Sequence, residues 1–385
     1  MNKKELELYI HIPFCVRKCS YCDFLSAPAT EQTREAYMAA LFAEIGGRAK
    51  DYSDRTVTSI FIGGGTPSLL SGEQIGQLMD RIREQFAMAQ DAEITMEVNP
   101  GTVSAEKLRN FYTAGINRLS IGMQSAQAEE LKNLGRIHDF EGFCQVYREA
   151  VEAGFTNINV DIMSGLPGQT LASYRDTLEK VLHLEPMPQH ISAYSLIVEE
   201  GTPFAAMAER GELPLPEEET ERAMYEETIE VLAKYGFHRY EISNYARDGY
   251  ECRHNVGYWI RRDYLGFGIG AASLIDNVRF QNEKSLGAYL AQPLESREEE
   301  LTVQDRMEET MFLGLRLTRG VSCVDFAEQY GRTVEEVYGE VIARNVADGL
   351  LTVTERKENQ KKDRFLALTK RGLDLSNYVM AQFLF

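Results

Sequence analysis

The stretch "CVRKCSYC", residues 15–22, places three cysteines, Cys15, Cys19 and Cys22, within eight positions near the start of the chain. The other three cysteines are scattered over later positions. No signal peptide is predicted, because the short apolar run at the start is interrupted by charge and no small-residue cleavage site follows it. Clustered thiols in such a chain are typical of a metal or catalytic site.

Four explanations of the three cysteines compete. A disulfide would leave one thiol unpaired and suits an oxidising compartment. A structural zinc site usually takes four ligands from two paired knuckles. The sequence has no second pair, and Pro13 and the predicted strand make His11 an awkward fourth ligand. Cysteines that only pack have no reason to cluster. Three thiolates that each bind one iron of a [4Fe–4S] cluster use the whole spacing and leave the fourth iron open, and we favour this explanation over zinc.

The composition narrows the class of protein. A chain of 385 residues is long enough for one large domain and one or two small ones. The net charge of −18 argues against nucleic acid as the main partner, because phosphate binding needs clustered Lys and Arg. No run approaches the roughly 18 apolar residues of a membrane span. We therefore expect a cytoplasmic protein that meets a membrane only through protein partners, since no polybasic anchor is present.

Short β-branched runs alternate with amphipathic helical segments over about the first 200 residues. Strands are predicted at 7–12, 58–63, 93–98, 118–123, 157–163 and 190–197. Strands that alternate with helices form a parallel sheet, so the sequence predicts an α/β fold, either an incomplete barrel or a doubly wound sheet. Polar segments such as "GGGTPS" follow these strands, and we expect them to meet at the carboxyl ends of the strands, where such folds bind ligands.

The pattern changes after residue 200, and we divide the chain into residues 1–200, 201–300 and 301–385. The middle part is predicted to be a linking region, with one long amphipathic helix and a Tyr- and Gly-rich stretch without a helical period. The last part predicts three helices, a hairpin with a charged tip and a final helix, as in a winged-helix-like α+β domain. It carries 12 Lys or Arg against 13 Asp or Glu, so the tip is interpreted as a solvated turn or a partner contact.

The motif C-x₃-C-x₂-C, with the aromatic Tyr21 before the last cysteine, resembles the radical S-adenosylmethionine (SAM) superfamily. The resemblance implies a partial (β/α)6 barrel and a [4Fe–4S] cluster on the three cysteines. It also implies that the open iron binds the amino and carboxylate groups of SAM. In that superfamily, one-electron reduction cleaves SAM to a 5′-deoxyadenosyl radical.

The resemblance also implies a SAM site. The segment "GGGTP", residues 63–67, resembles the one that meets the SAM amino group, and a glycine run leaves backbone N–H groups accessible. Glu97 is expected to accept hydrogen bonds from the ribose or the amino end, and Arg136 to pair with the carboxylate. Taken singly, each residue is equally explained by an ordinary surface or capping role. The implied SAM-binding residues are Tyr9, Tyr21, Gly64, Gly65, Thr66, Glu97, Gln124, Arg136, Asp161, Ser195 and Ile269.

The whole chain, from "LYIHIPFC" to "LSNYV", resembles the oxygen-independent coproporphyrinogen III oxidase-like group, and within it the HemW-type haem chaperones. The oxidases of the group carry a further cysteine two positions after the motif, where this chain has Phe24. They also have an N-terminal segment ahead of the position that Tyr9 occupies here. These differences put a second SAM site and porphyrinogen chemistry in doubt.

The segment "RHNVGYW", residues 253–259, matches the HNxxYW signature of HemW-type proteins. The signature implies that His254 is an axial haem ligand, supported by Asn255, Tyr258 and Trp259. The alternatives are that His254 is a core histidine and Trp259 an anchor at a domain junction, or that a Cys252 thiolate binds the haem iron.

The resulting hypothesis is a haem chaperone that holds a [4Fe–4S] cluster and SAM and delivers haem to a haemoprotein, which is expected to be membrane-bound. A homodimer is compatible with this hypothesis. The alternative is an oxygen-independent coproporphyrinogen III oxidase that decarboxylates propionate side chains, and a structural zinc protein is the third option. The sequence leaves open whether SAM is cleaved.

Overall fold

The computed structural model describes residues 4–358 and 361–384. The first part of the chain alternates strands and helices: β1 (Lys4–Ile12), α1 (Glu31–Arg48), β2 (Arg55–Gly64), α2 (Gly72–Gln85), β3 (Ala87–Val98), α3 (Ala105–Thr113), β4 (Arg118–Gln124), α4 (Ala128–Leu134), α5 (Phe140–Glu152), β5 (Ile158–Ser164), α6 (Leu171–Leu182) and β6 (His190–Ser195). The middle part contains α7 (Pro203–Glu209), α8 (Glu218–Lys234), β7 (His238–Arg239), β8 (Asn244–Ala246), α9 (Arg253–Trp259), β9 (Tyr264–Phe267), β10 (Ala272–Ile275), β11 (Val278–Asn282), α10 (Leu286–Ala291) and β12 (Ser296–Glu300). The last part contains α11 (Val303–Gly314), β13 (Val321–Ser322), α12 (Cys323–Tyr330), α13 (Val334–Ala347), β14 (Leu351–Glu358), β15 (Lys361–Leu368), α14 (Lys370–Asp374) and α15 (Ser376–Ala381).

The six strands β1 to β6 lie side by side in chain order and pair in parallel, which confirms the predicted partial (β/α)6 barrel. Successive side chains of a strand point to opposite faces. In β1, Leu8 and Ile10 are fully buried in the core with the surrounding helices, whereas Tyr9 and His11 lie on the other face, inside the barrel. Helix α2 begins at a side-chain cap, where Ser71 and Gln74 form a reciprocal capping box.

The middle of the chain differs from the predicted linking region, because it extends the barrel sheet at both edges. Strand β9 pairs in parallel with β1, and β10, β11 and β12 follow it as antiparallel strands. At the other edge β8 pairs with β6, and within the described residues the sheet has twelve strands. The stretch also contains the helix α9, where no helical period was predicted. Strands of two to five residues and a helix of seven are too short to show a period in the sequence.

The C-terminal part has its own hydrophobic core, which includes Met311, Leu315, Phe326, Leu366 and Phe383. Three helices, α11 to α13, precede the antiparallel hairpin β14–β15, and β13 completes a three-stranded sheet. This arrangement confirms the winged-helix-like α+β domain, although two short helices follow the hairpin in place of one. Residues 359–360 of the predicted charged tip lie outside the described residues.

None of the helices within residues 4–358 and 361–384 combines the length and the apolar character that crossing a membrane requires.

Candidate functional site

A cavity of about 140 Å³ opens at the carboxyl ends of the barrel strands. The predicted cluster and SAM residues converge on its wall, as expected for polar segments that follow parallel strands. Eleven of the predicted residues line it: Cys15, Cys19, Cys22, Tyr21, Gly64, Gly65, Thr66, Glu97, Gln124, Arg136 and Asp161. The structure thus brings together segments that are up to 146 positions apart, from Cys15 to Asp161.

The cysteine loop is anchored at several points along its length. The N–H of Cys15 donates to the Ala27 carbonyl at 3.2 Å, and the N–H of Ser20 donates to the Leu134 carbonyl at 3.0 Å. Burial raises the pKa of the Cys15 and Cys22 thiols, so each is protonated at neutral pH until a metal displaces its proton. The loop therefore presents three thiols to one cavity, with its backbone held at both ends.

Arg136 joins the cysteine loop to the ends of β3 and β4. Its Nη2 donates to Oδ1 of Asn99 at 2.8 Å and to the Gly122 carbonyl at 2.5 Å, and its Nη1 lies 3.8 Å from Sγ of Cys19. Asn99 and Gly122 also line the cavity and were not predicted as site residues. The only signal for Asn99 in the sequence was its position directly after β3.

The glycine run at the end of β2 makes contacts that differ from the expected ones. The N–H groups of Gly64, Gly65 and Thr66 donate to Glu97 Oε2 at 3.0 Å, to the Ile12 carbonyl at 2.9 Å and to the Phe14 carbonyl at 2.6 Å. They are therefore engaged within the protein and do not face the cavity as free donors. A Cβ on Gly65 would lie only 2.6 Å from the Phe14 oxygen. Glycine is required here because the run packs directly against the segment that leads to Cys15.

Two half-buried carboxyl groups, Glu97 of β3 and Asp161 of β5, also line the cavity. Burial, together with the nearby charge of Asp161, raises the pKa of Glu97 to about 8. Burial also raises the pKa of Asp161, whose carboxylate accepts hydrogen bonds from Asn159 at 2.7 Å and from Ser120 at 3.3 Å. These contacts fix the Asp161 carboxyl group in the cavity wall that Arg136 also lines.

Gln124 ends β4 with a φ of +70°, a left-handed conformation that is uncommon for residues other than glycine. Strained backbone of this kind persists only where the surrounding structure holds it, and it is concentrated at ligand sites.

Three of the predicted SAM residues are not part of the cavity wall. The hydroxyl of Tyr9 lies 3.0 Å from Nδ1 of His11, whose Nε2 lies 2.8 Å from the Leu25 carbonyl. Tyr9 therefore supports the end of the cysteine loop through His11. Ser195 is exposed, with its hydroxyl 3.2 Å from that of Ser164, and the buried Ile269 donates its N–H to Tyr37.

His254 is 1% exposed and lies inside the barrel, away from the cavity. Its Nδ1 is 2.8 Å from Ser59 Oγ and its Nε2 is 3.1 Å from Tyr258 Oη, while its ring stacks on Phe61 at 5.3 Å. Burial lowers the pKa of His254 to about 3, so the ring is neutral. Both ring nitrogens are engaged, and an iron could reach either one only if α9 moved. In this conformation His254 is a satisfied core histidine, and its role as a haem ligand stays a prediction.

The other signature residues divide between two environments. Tyr258 faces inward with His254, and its ring also packs edge-to-face on Tyr264 at 4.7 Å. Asn255 is half-buried beside Cys252, which is fully buried 3.5 Å from Glu93 Oε1. Burial raises the pKa of the Cys252 thiol to about 12, which disfavours the thiolate that haem ligation would need. Trp259 lies at the end of α9, beside the C-terminal domain.

Comparisons with known proteins agree with this geometry. The model of the radical SAM superfamily matches residues 9–181, and that of the HemN C-terminal domain matches residues 301–375. The chain is 39% identical to the heme chaperone HemW of Bacillus subtilis, over 98% of each chain. It is 36% identical to the heme chaperone HemW of Lactococcus lactis, over 100% of this chain and 98% of the relative.

Among solved structures, coproporphyrinogen III oxidase (HemN) from Escherichia coli, described as a radical SAM enzyme, superposes with a TM-score of 0.85 at 28% identity. The match covers 99% of this chain and 90% of the oxidase. The structural match shows the fold. The two HemW relatives match this chain over 98% of their own length, and they show the family to which it belongs. The chain belongs to the HemW family of the radical SAM superfamily.

Proposed function

We propose that this protein is a haem chaperone that holds a [4Fe–4S] cluster and SAM at the carboxyl end of its barrel and passes haem to a haemoprotein. The observation that carries the cofactor part is the convergence of eleven cluster and SAM residues on one cavity. The haem part is supported by relatives named heme chaperones that match this chain over nearly its whole length.

The side chains around the cavity fit the proposed cofactors. Three thiols suit a cluster that is held at three corners, and bound SAM would complete the fourth. Among the described residues, no three Cys, His, Asp or Glu side chains are grouped closely enough to hold a single metal ion. A cluster does not require such a group, because each cysteine binds a different iron. Arg17, Lys18 and Arg136 lie in the wall together with Glu97 and Asp161. The cations suit the carboxylate of an amino acid, and the carboxyl oxygens of Glu97 and Asp161 can accept hydrogen bonds from its amino group.

In this proposal each group of the chain has a positioning task. Arg136 holds the ends of β3 and β4 against Cys19 and presents its positive charge to the ligand carboxylate. Glu97 and Asp161 supply acceptors for the amino and ribose donors. Tyr9 and His11 keep the returning end of the cysteine loop in place through the Leu25 carbonyl. The same proposal includes a membrane-bound haemoprotein as the recipient. It also includes a homodimer of this chain and a cytoplasmic location for it.

The second candidate is coproporphyrinogen III oxidation, which the overall similarity to HemN favours. Phe24 argues against it. Its side chain is 61% exposed and lines the cavity at the position where the oxidases were expected to carry a cysteine. An apolar side chain there cannot supply a metal ligand.

The experiment that separates the two functions uses the full chain with its cluster reconstituted under anaerobic conditions. The protein is given SAM, a reductant and coproporphyrinogen III, and in a parallel sample haem alone. We expect saturable haem binding and no decarboxylated porphyrinogen. Decarboxylated product formed without haem binding would establish the oxidase instead.

A further inference from the structure

A buried network of hydrogen bonds runs from the SAM cavity to the start of α9 through Asp161, Asn159, His190, Tyr240 and Cys252. Nδ2 of Asn159 donates to Oδ1 of Asp161 at 2.7 Å, and Oδ1 of Asn159 lies 2.6 Å from Nδ1 of His190. Nε2 of His190 lies 2.9 Å from Oη of Tyr240, and the same oxygen accepts from the N–H of Cys252 at 3.3 Å. Asp161 lines the cavity and Cys252 directly precedes α9, so the network joins the two.

Every hydrogen bond of this network points toward Asp161. A backbone N–H can only donate, so Tyr240 accepts from Cys252 and has its own hydrogen to donate to His190. Burial holds the pKa of His190 well below its usual value, so the ring is neutral and carries one N–H. Because Nε2 accepts from Tyr240, that hydrogen is on Nδ1 and is donated to Asn159. Hydrogen bonds in such a series polarise one another, so each bond is stronger while the others are intact.

The side chains in the middle of the network are buried and lie behind the cavity wall. Asn159, His190 and Tyr240 are each 4% exposed or less, and none of these three lines the cavity. Asn159 and His190 face each other across β5 and β6, and Tyr240 directly follows β7. Buried polar groups are costly unless each keeps its partner, whereas apolar side chains fill a barrel without that cost. The network therefore holds its two ends in a fixed relation.

The start of α9 depends on this network. The helix has no side-chain cap of its own, and N–H groups at a helix start need partners from outside the helix. The Cys252 N–H is satisfied by Tyr240, and the His254 N–H donates to Glu93 Oε1 at 3.3 Å. A shift of Tyr240 would leave the buried Cys252 N–H unpaired, which is unfavourable. The packing of α9 is thus linked to the position of the Tyr240 hydroxyl.

We propose that His190 and Tyr240 are positioning residues that couple SAM occupancy of the cavity to the packing of α9. This inference rests on the proposed function, because it takes SAM as the ligand of Asp161. A ligand that donates hydrogen bonds to Asp161 fixes this carboxylate, and with it the donors behind it. Coupling between two sites is reciprocal, so the factor by which SAM favours the packed α9 equals the factor by which the packed α9 favours SAM.

The test is a calorimetric titration with SAM of the full-length chain, with its cluster reconstituted under anaerobic conditions. Tyr240→Phe keeps the ring and removes the hydroxyl that both His190 and Cys252 contact. His190→Asn keeps an amide N–H in place of Nδ1 but is too short to reach Tyr240, so it breaks the same link from the other side. Tyr174→Phe is the matched control, because Tyr174 is 1% exposed and its hydroxyl lies 2.6 Å from Thr228 Oγ1, outside the network. The unfolding temperature of each variant is measured beforehand to confirm that it is folded.

We expect Tyr240→Phe and His190→Asn each to weaken SAM binding by about fivefold, while Tyr174→Phe binds SAM like the wild type. The double variant should bind SAM no more weakly than the weaker single variant, because both substitutions break one link. Two unrelated structural losses would add instead. In the wild type, SAM should also slow amide hydrogen exchange in α9 more than in α5, and Tyr240→Phe should abolish this difference.

Two results would overturn the coupling while SAM binding itself stands. The first is wild-type affinity for SAM in both Tyr240→Phe and His190→Asn, or an equal loss of affinity in Tyr174→Phe. The second is that SAM slows exchange in α9 of the wild type no more than in α5. If the wild type fails to bind SAM at all, the SAM part of the proposed function and this inference both fall.

Discussion

Nη1 of Arg136 lies 3.8 Å from Sγ of Cys19, although the two residues are 117 positions apart in the chain. The same guanidinium is held by Asn99 and by the Gly122 carbonyl at the ends of two barrel strands. The position of the cysteine loop is thereby tied to the sheet through one side chain. The cluster thiols and the ligand-binding strands thus form a single unit.

Replacing Arg136 by lysine is expected to weaken this unit. Lysine has one ammonium group and no planar fork, so it cannot reach Asn99, Gly122 and Cys19 together. We expect the reconstituted Arg136→Lys variant to lose iron to a chelator faster than the wild type and to bind SAM about tenfold more weakly. Arg81→Lys on the surface of α2 is the control, since Arg81 is 42% exposed and pairs with Glu84 at 3.8 Å. Equal rates of iron loss in both variants would contradict the role of Arg136.

Removal of one thiol tests the cluster itself. Cys19→Ser is expected to bring the iron content from about four per chain to near zero and to abolish the broad absorption of the cluster. Cys144→Ser is the control, because Cys144 is a partly buried thiol on α5, remote from the cavity. Iron and sulfide analysis after anaerobic reconstitution measures the result. If Cys19→Ser retains full iron and sulfide, the cluster assignment is wrong.

The close contact between Gly65 and the Phe14 carbonyl gives a sharp test of the glycine run. A methyl group at Gly65 would lie 2.6 Å from that oxygen and 2.9 Å from the Phe14 nitrogen, so the run must move away from the segment that leads to Cys15. We expect Gly65→Ala to weaken SAM binding by about tenfold, ~1.4 kcal/mol.

Gly76→Ala is the matched control for this substitution, because nothing lies within 4 Å of a Cβ at Gly76 in α2. Alanine is favoured over glycine in helices by roughly 1 kcal/mol, so the control should raise the unfolding temperature slightly and leave SAM affinity unchanged. Calorimetric titration of both variants with SAM makes the comparison. A Gly65→Ala variant with wild-type affinity would show that the run tolerates displacement.

The buried Glu44 should make the stability of the folded chain depend on pH, whether or not the cofactors are bound. Burial raises the pKa of Glu44 from 4.5 to about 7, although Gly268, Tyr289 and Asn282 donate hydrogen bonds to it. The folded chain therefore holds this proton more tightly than the unfolded chain does. Its contribution to stability is complete below pH 4.5 and declines as the pH rises to 7, by at most about 1.4 kcal/mol per pH unit.

The variant Glu44→Gln carries no titrating group at this position, so the unfolding temperature should change less between pH 5 and pH 7.5 than in the wild type. The control Glu35→Gln lies exposed on the same helix and should leave the wild-type slope unaltered. Thermal unfolding at several pH values gives the slopes. Identical slopes for Glu44→Gln and the wild type would show that Glu44 is ionised in the folded chain at pH 5.

The barrel could be predicted from the sequence because its strands are long β-branched runs, and the meeting of their polar ends follows from parallel topology. The convergence on one cavity was accordingly foreseen for Glu97 and Asp161. The environment of His254 could not be predicted from the sequence. Its partner Ser59 is 195 positions away, and a side-chain hydrogen bond leaves no periodic signal. The same holds for Tyr9, whose hydroxyl contacts His11 within the protein and not the cavity.

Saturable binding of haem by the wild-type chain tests the central claim most directly. Haem is titrated into the full-length protein with its cluster reconstituted, under anaerobic conditions, and the Soret band is recorded at each addition. The account predicts a shifted Soret band that saturates at about one haem per chain while the iron–sulfur absorption persists. A signal that rises in proportion to added haem without saturation would show non-specific adsorption and contradict the chaperone function.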